Sequence, residues 1–259
     1  MIQARTVIYF AQKHGNAEAE WEDGGAAAPA DRVSGRGPRL AVADGATSGF
    51  GSARWAQQLV AGFVGADRDG PPALARGALR GWFEVMQARW RDDPRLAGAT
   101  ELQKIKQAQV GSFATFLGCE LTDGGWTAVA LGDTVLFHVR AGRLVAQFPR
   151  MAAEDFGFNP DGVSTRPETL ADMAGRVLVA QGDLAEGDVL YLATDALAQW
   201  MVEADHGALW PTLAGLGHPD MFRALVADRR RGGELHNDDV TLLRAHIVSS
   251  RPSDLVVCL

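Results

Sequence analysis

Four apolar runs in this chain meet an acidic residue at one end. Asp44 follows "LAVA", Asp133 lies inside "AVALGDTVLF", Asp195 follows "DVLYLAT", and Asp238 and Asp239 precede "VTLLRAHIV". Each run is short and bounded by turn residues, the pattern of a buried strand. A lone aspartate at such a boundary usually caps a turn or a helix. Four together restrict the fold further, because strand ends can converge at one edge of a sheet. Converging carboxylates repel one another unless a cation sits among them, and hard ions such as Mg²⁺ or Mn²⁺ prefer oxygen ligands of this kind. "EAEWEDGG" adds Glu22 and Asp23, either as a solvated acidic loop or as further carboxylates for the same site.

The rest of the chain reads as strands with helices grouped between them. Strands are expected at 6–10, 40–43, 112–121, 126–131, 134–139, 144–148, 176–180, 189–193 and 240–248. The four from 112 to 148, separated by "TDGG", "GD" and "RAGR", read as an antiparallel meander. The spacing of Ala53, Ala56, Leu59, Val60 and Phe63 predicts a helix over 52–64. Further helices are expected at about 72–90, 101–109, 196–203 and 219–231, whereas 24–38 reads as loop and 151–174 as irregular. No internal repeat or linker splits the chain, so one domain over 1–259 is expected.

Composition excludes several classes. At 259 residues, 47% apolar and 22% charged, the chain can bury a sizeable core and is too apolar for disorder. A net charge of −7 argues against nucleic-acid binding, which needs clustered Lys and Arg. Cys119 and Cys258 match no metal or disulfide spacing and suggest a reducing compartment. The N-terminal apolar run is too short for a signal peptide, and no stretch approaches the roughly 20 apolar residues of a membrane span. A cytoplasmic location without a membrane partner is therefore expected.

Other chemistries find no anchor. The loop containing Gly45, Gly49 and Gly51 continues as Ser52-Ala53-Arg54, without the Lys-Ser/Thr pair of a phosphate loop. A dinucleotide fingerprint begun at Gly49 would need a glycine where Arg54 stands. The six histidines show no zinc-ligand spacing, and there is no G-x-S-x-G elbow for a serine hydrolase. Trp55, Trp82 and Trp90 fall on helical tracts and read as core, while Arg229, Arg230 and Arg231 read as a helix end.

In their order, these blocks resemble the metal-dependent Ser/Thr protein phosphatases of the type 2C class (PPM), in their compact bacterial form. "YFAQKHGNAEAEWED" sits where that family has its first acidic motif, and "LAVADGATSGFGSARWAQQLV" resembles its apolar strand, Asp-Gly and following helix. "GSFATFLGCEL" and "WTAVALGDTVLFHVRAGRLV" are similar to its central strands and Gly-Asp turn. "EGDVLYLATDALAQW" and "HNDDVTLLRAHIV" are similar to its last two acidic segments. The resemblance implies an α+β fold, a four-layer α-β-β-α sandwich of two antiparallel sheets flanked by helices. At one end it implies a centre of two Mg²⁺ or Mn²⁺ ions, or three. Asp44 would bridge two ions with the Gly45 carbonyl as a further ligand, and Asp195 and Asp238 would hold one of them. Glu22 and Asp23 would support the other, partly through water, and Asp133 would join Asp195 around a third. Asp44, Asp195 and Asp238 are then the catalytic carboxylates, with cation-activated water attacking phosphorus. The implied substrate is a phosphoserine or phosphothreonine protein, the target of a Ser/Thr kinase. A catalytically weak regulatory module of the same fold and a phosphatase of a small metabolite are the alternatives.

The resemblance is thinnest at the substrate contacts. The family commonly carries an arginine four residues before the Glu of its first acidic motif, and here Glu18 stands there. Lys13, Arg32 and Arg54 are the nearby cations that could replace it. Ala46 stands where some members have histidine, Ala196 replaces a glycine and Asp239 an asparagine. The stretch 150–176 lacks the family's His-Pro and Asn-rich signatures.

Overall fold

The computed structural model describes residues 3–17, 20–31, 35–46, 51–65, 70–71, 73–94, 98, 100–102, 105, 109–157, 160–248 and, as backbone, 255–257. Two sheets stack face to face. One has the order β13 (Leu255–Val257), β1 (Gln3–Ala11), β12 (Val240–Val248), β11 (Val189–Ala193), β7 (Val135–Arg140), β8 (Arg143–Phe148). The other runs β10 (Leu178–Asp183), β6 (Gly125–Leu131), β5 (Phe116–Thr122), β3 (Arg39–Ala43), β2 (Gly24–Ala28). All the described pairings within them are antiparallel except β13 on β1.

Helices cover both outer faces, so three hydrophobic cores separate four layers. Between the sheets lie Ile8, Leu40, Val42, Leu117, Leu192 and Leu243. Helices α1 (Ser52–Val64), α2 (Arg76–Arg91) and α3 (Leu170–Arg176) pack on the second sheet through Trp55, Leu59, Phe63, Trp82 and Met173. Helices α4 (Asp195–Glu203), α5 (His206–Ala214) and α6 (Pro219–Arg231) pack on the first through Leu197, Trp210 and Phe222. Strand periodicity sorts each side chain. In β3, Leu40 and Val42 enter the inner core, while the small Ala41 and Ala43 lie in the core under α1. A run apolar at every position thus reports a strand covered on both faces. No helix among the described residues is long and apolar enough to cross a membrane.

One polar cluster interrupts the inner core. His138 on β7 sits 2.8 Å from Asp188 through Nε2, and Trp126 on β6 donates to its Nδ1 at 3.4 Å. An Nδ1 that accepts leaves the proton on Nε2, aimed at Asp188. Asp188 also accepts from Arg140 and from the Ala185 N–H, and its side chain is 1% exposed.

The structure departs from the sequence reading at five places. The expected meander is two hairpins in different sheets, and the chain crosses between them at Gly132-Asp133, from β6 to β7. The expected strand at 112–121 breaks at Thr115 into β4 (Phe113–Ala114) and β5, with β4 pairing instead with β9 (Val163–Ser164). Glycine and alanine have poor strand propensity, so β2 read as loop; its pairing to β3 makes it a strand. The strand expected at 176–180 begins later, as β10, because α3 runs through Arg176. The stretch 151–174, expected to be irregular, holds β9 and the first residues of α3. The helix expected at 101–109 lies partly outside the described residues, as do Glu18, Arg32, Gly49 and Cys258.

Candidate metal centre

Topology brings the acidic strand ends to one edge of the sandwich. Asp44 leaves β3, Asp133 sits in the β6–β7 crossover, Asp195 leaves β11 as the first residue of α4, and Asp238 and Asp239 lead into β12. Asp23 stands immediately before β2. Their charges act on one another. Burial first, then Asp23, Asp195 and Asp133, push the Asp44 carboxyl well above the usual carboxylate range.

Each carboxylate has its own local frame. Asp23 is fully buried; its Oδ2 accepts from the hydroxyls of Thr194 at 3.0 Å and Thr241 at 2.8 Å, while Oδ1 receives no hydrogen bond. Burial and the charges of Asp195 and Asp239 raise it strongly in spite of those two donors. Asp133 is buried with neither carboxylate oxygen hydrogen-bonded; burial, followed by Asp195, pushes it up to about 7. Burial also pushes Asp195 up to about 6; Asp238 adds to this, and the Ala196 N–H, His236 and Lys13 oppose it. The cost of burying charge outweighs the donors supplied at these sites, the condition that a bound cation relieves.

The backbone around Asp44 is fixed on both sides. Its N–H donates to Thr115 Oγ1 at 3.2 Å, and the Thr115 N–H donates to its carbonyl at 2.9 Å. Gly45 forms a bridge with Ala114 and is wedged between two other segments. A Cβ there would stand 2.7 Å from the Glu22 carbonyl oxygen and 2.8 Å from that of Ser52. Glycine at 45 therefore lets the first acidic motif and the start of α1 meet the Asp44 turn. Asp239, 6% exposed, ties the other limb: its two oxygens accept from the Lys13 and Glu22 N–H groups, each at 2.7 Å. Asp238 is half-exposed and pairs with Lys13 Nζ at 3.3 Å.

Buried carboxylate oxygens without donors, in mutual repulsion, are a donor set suited to hard divalent cations. Among the described residues no three carboxylate, thiol or imidazole side chains close on one point as a ready cage. An ion here would draw part of its coordination from water, as Mg²⁺ commonly does.

No protein-family profile matches the chain, and no curated protein matches it in sequence. Solved structures do match in three dimensions. The catalytic domain of the serine/threonine phosphatase PstP in complex with two manganese ions gives a TM-score of 0.62 at 18% identity, over 96% of this chain and 100% of that one. PppA, a key regulatory component of the T6SS in Pseudomonas aeruginosa, gives 0.58 at 20% identity, over 95% and 98%. MsPP, a PPM Ser-Thr phosphatase from Mycobacterium smegmatis in complex with cacodylate, gives 0.57 at 19% identity, over 95% and 99%. The chain has the PPM phosphatase fold.

Within this PPM fold, Asp23, Asp44, Asp133, Asp195 and Asp238 share one edge, with Glu22 and Gly45 adjoining them through the backbone. Sequence reasoning missed Thr194 and Thr241, which clamp Asp23, and Thr115, which holds Asp44. A signal existed for two of these. Thr194 directly precedes Asp195, and Thr241 is a polar residue inside an apolar strand two positions after Asp239.

Proposed function

We propose that the chain is a metal-dependent phosphatase that hydrolyses phosphoserine or phosphothreonine in proteins. The observation that carries this reading is the meeting of Asp23, Asp44, Asp133 and Asp195 at one sheet edge, with buried carboxylate oxygens that receive no hydrogen bond. Asp44 would be shared between two Mg²⁺ or Mn²⁺ ions with the Gly45 carbonyl beside it. Asp195 and Asp238 would hold one ion, Glu22 and Asp23 the other, and Asp133 with Asp195 a third. Ions bound there would supply positive charge that polarises a phosphoryl oxygen and acidifies water. The chain's own residues orient the rest: Thr194 and Thr241 fix Asp23, Thr115 fixes the Asp44 turn, and Asp239 joins the Lys13 and Glu22 limbs.

A protein substrate is supported by the naming of PstP and MsPP as Ser/Thr phosphatases. The substrate would then be the product of a Ser/Thr kinase, and cysteine usage favours the cytoplasm. Mn²⁺- or Mg²⁺-dependent hydrolysis of p-nitrophenyl phosphate and of phosphopeptides tests the reading. Asp44→Asn is expected to lower kcat by at least about 10²- to 10³-fold, the scale of losing a group that organises transition-state charge. Absence of turnover on every ester with both metals would sink it.

A second reading has in its favour Glu18, standing where the family commonly carries an arginine, and the altered stretch 150–176. In it the chain binds metal and a protein partner without efficient turnover. Tight Mn²⁺ binding by calorimetry without hydrolysis would select it.

A further inference from the structure

Cationic side chains beside the acidic edge can assist bound ions in receiving a phosphate ester dianion. Of the three cations near the first acidic motif and the Asp44 loop, Arg32 lies outside the described residues. Arg54, in the first turn of α1, has its guanidinium 3.9 Å from Asp93 and lines a groove between α1 and α2 with Gln57 and Arg89. A fourth cation, Arg230, spends its guanidinium on the carbonyls of Gln12 and Asp238. Among the described residues, Lys13 differs from Arg54 and Arg230. Its ammonium faces the cluster, 3.3 Å from Asp238 Oδ1, and its side chain is still 37% exposed.

The backbone beneath Lys13 is bolted down. Its N–H donates to Asp239 Oδ1 at 2.7 Å. The next residue, His14, exchanges two hydrogen bonds with the Asn237 amide, at 2.7 and 3.2 Å. The second oxygen of Asp239 holds the Glu22 N–H, so one buried carboxylate fixes both limbs of the loop between β1 and β2. An asparagine in place of Asp239 would offer only one acceptor atom for two donors. The charged end of Lys13 therefore emerges from a fixed point into a half-exposed and weak ion pair, a contact that a better anion can displace. An ammonium on a flexible stem is suited to such an exchange.

We infer that Lys13 is the residue that binds the substrate's phosphoryl group, exchanging its contact with Asp238 for the non-bridging oxygens of a phosphate monoester dianion. This assignment rests on the phosphatase reading above. In the Mn²⁺-loaded full chain, Lys13→Met is expected to raise KM for p-nitrophenyl phosphate about ten- to hundredfold with kcat changed far less, the range for a hydrogen bond to a charged group. Inorganic phosphate, titrated calorimetrically, is expected to bind that variant more weakly by a similar factor. Lys13→Arg keeps the charge, is expected to recover most of both losses, and controls for folding. Unchanged KM and phosphate affinity in Lys13→Met overturn the proposal and leave Lys13 as the ion-pair partner of Asp238 alone. If the wild-type chain turns over no ester, the phosphatase reading fails separately and the titration still decides on Lys13. Phosphate bound by the wild type and lost in Lys13→Met supports it, and no phosphate bound by the wild type overturns it.

Discussion

Two buried aspartates in this chain meet opposite fates. Burial acts to raise Asp188, yet Arg140, the Ala185 N–H and His138 outweigh it and hold the carboxyl down to about 2. Asp133 has burial without donors and is pushed up to about 7. The first is a structural ion cluster already satisfied, and the second is a carboxylate lacking a partner, which marks it for a ligand. Asp188→Ala is expected to cost about 1–3 kcal/mol in urea unfolding, because it leaves the His138 and Ala185 donors without an acceptor, with little effect on cation binding at the acidic edge, at the other end of β11. In sequence the two look alike, each being an aspartate beside an apolar strand run. Asp44, Asp133, Asp195 and Asp238 were legible because they recur at strand ends. Thr194 and Thr241 left a faint signal, but that they close on Asp23 was not legible, since they lie 171 and 218 positions from it.

At the scale of elements, the crossover between the sheets is the most constrained segment near the site. Gly132 adopts φ 109°, and a Cβ there would stand 2.4 Å from the Asp161 carbonyl oxygen and 2.7 Å from Thr115 Cβ. Gly132→Ala therefore combines a left-handed backbone with a collision against backbone, at a cost of about 1–3 kcal/mol or more. Because Asp133 is the next residue, the variant is expected to lose Mn²⁺-dependent turnover as well as several degrees in Tm; unchanged thermal melting would contradict the geometry. Helix α1 and strands β11 and β12 were legible to the residue, since strong periodicity or an unbroken apolar run leaves one solution. Strand β2 and the splitting of 112–121 at Thr115 were not, because those choices depend on pairing partners.

For the whole molecule, the acidic edge predicts how metal and pH act on stability. In the metal-free chain, Asp133 near 7 and Asp195 near 6 hold protons in the folded state that an unfolded chain, with carboxyls near 3.8, has released. The folded state binds more protons across that interval, so stability falls as pH rises from about 4 to about 7. Asp188, depressed to about 2, works the other way, and its contribution is lost as pH falls from about 4 towards 2. Melting of EDTA-treated protein is thus expected to peak near pH 4–5 and to drop by roughly 5–10 °C by pH 7.5. Saturating Mn²⁺ at pH 7.5 should restore about 2.7 kcal/mol at a hundredfold excess over Kd, and a melting curve flat with pH and indifferent to Mn²⁺ would remove the argument for a cation site. The local pattern of apolar runs, helical spacing and strand-end acids was enough for the α+β class and for a family resemblance, because periodicity and turn chemistry act over a few neighbouring residues. Which sheet each hairpin joins, which oxygens are left without donors, and that Lys13 rather than Arg54 faces the acids are long-range matters. They follow from pairings and contacts between residues more than two hundred positions apart, such as Lys13 with Asp239 and Asp23 with Thr241.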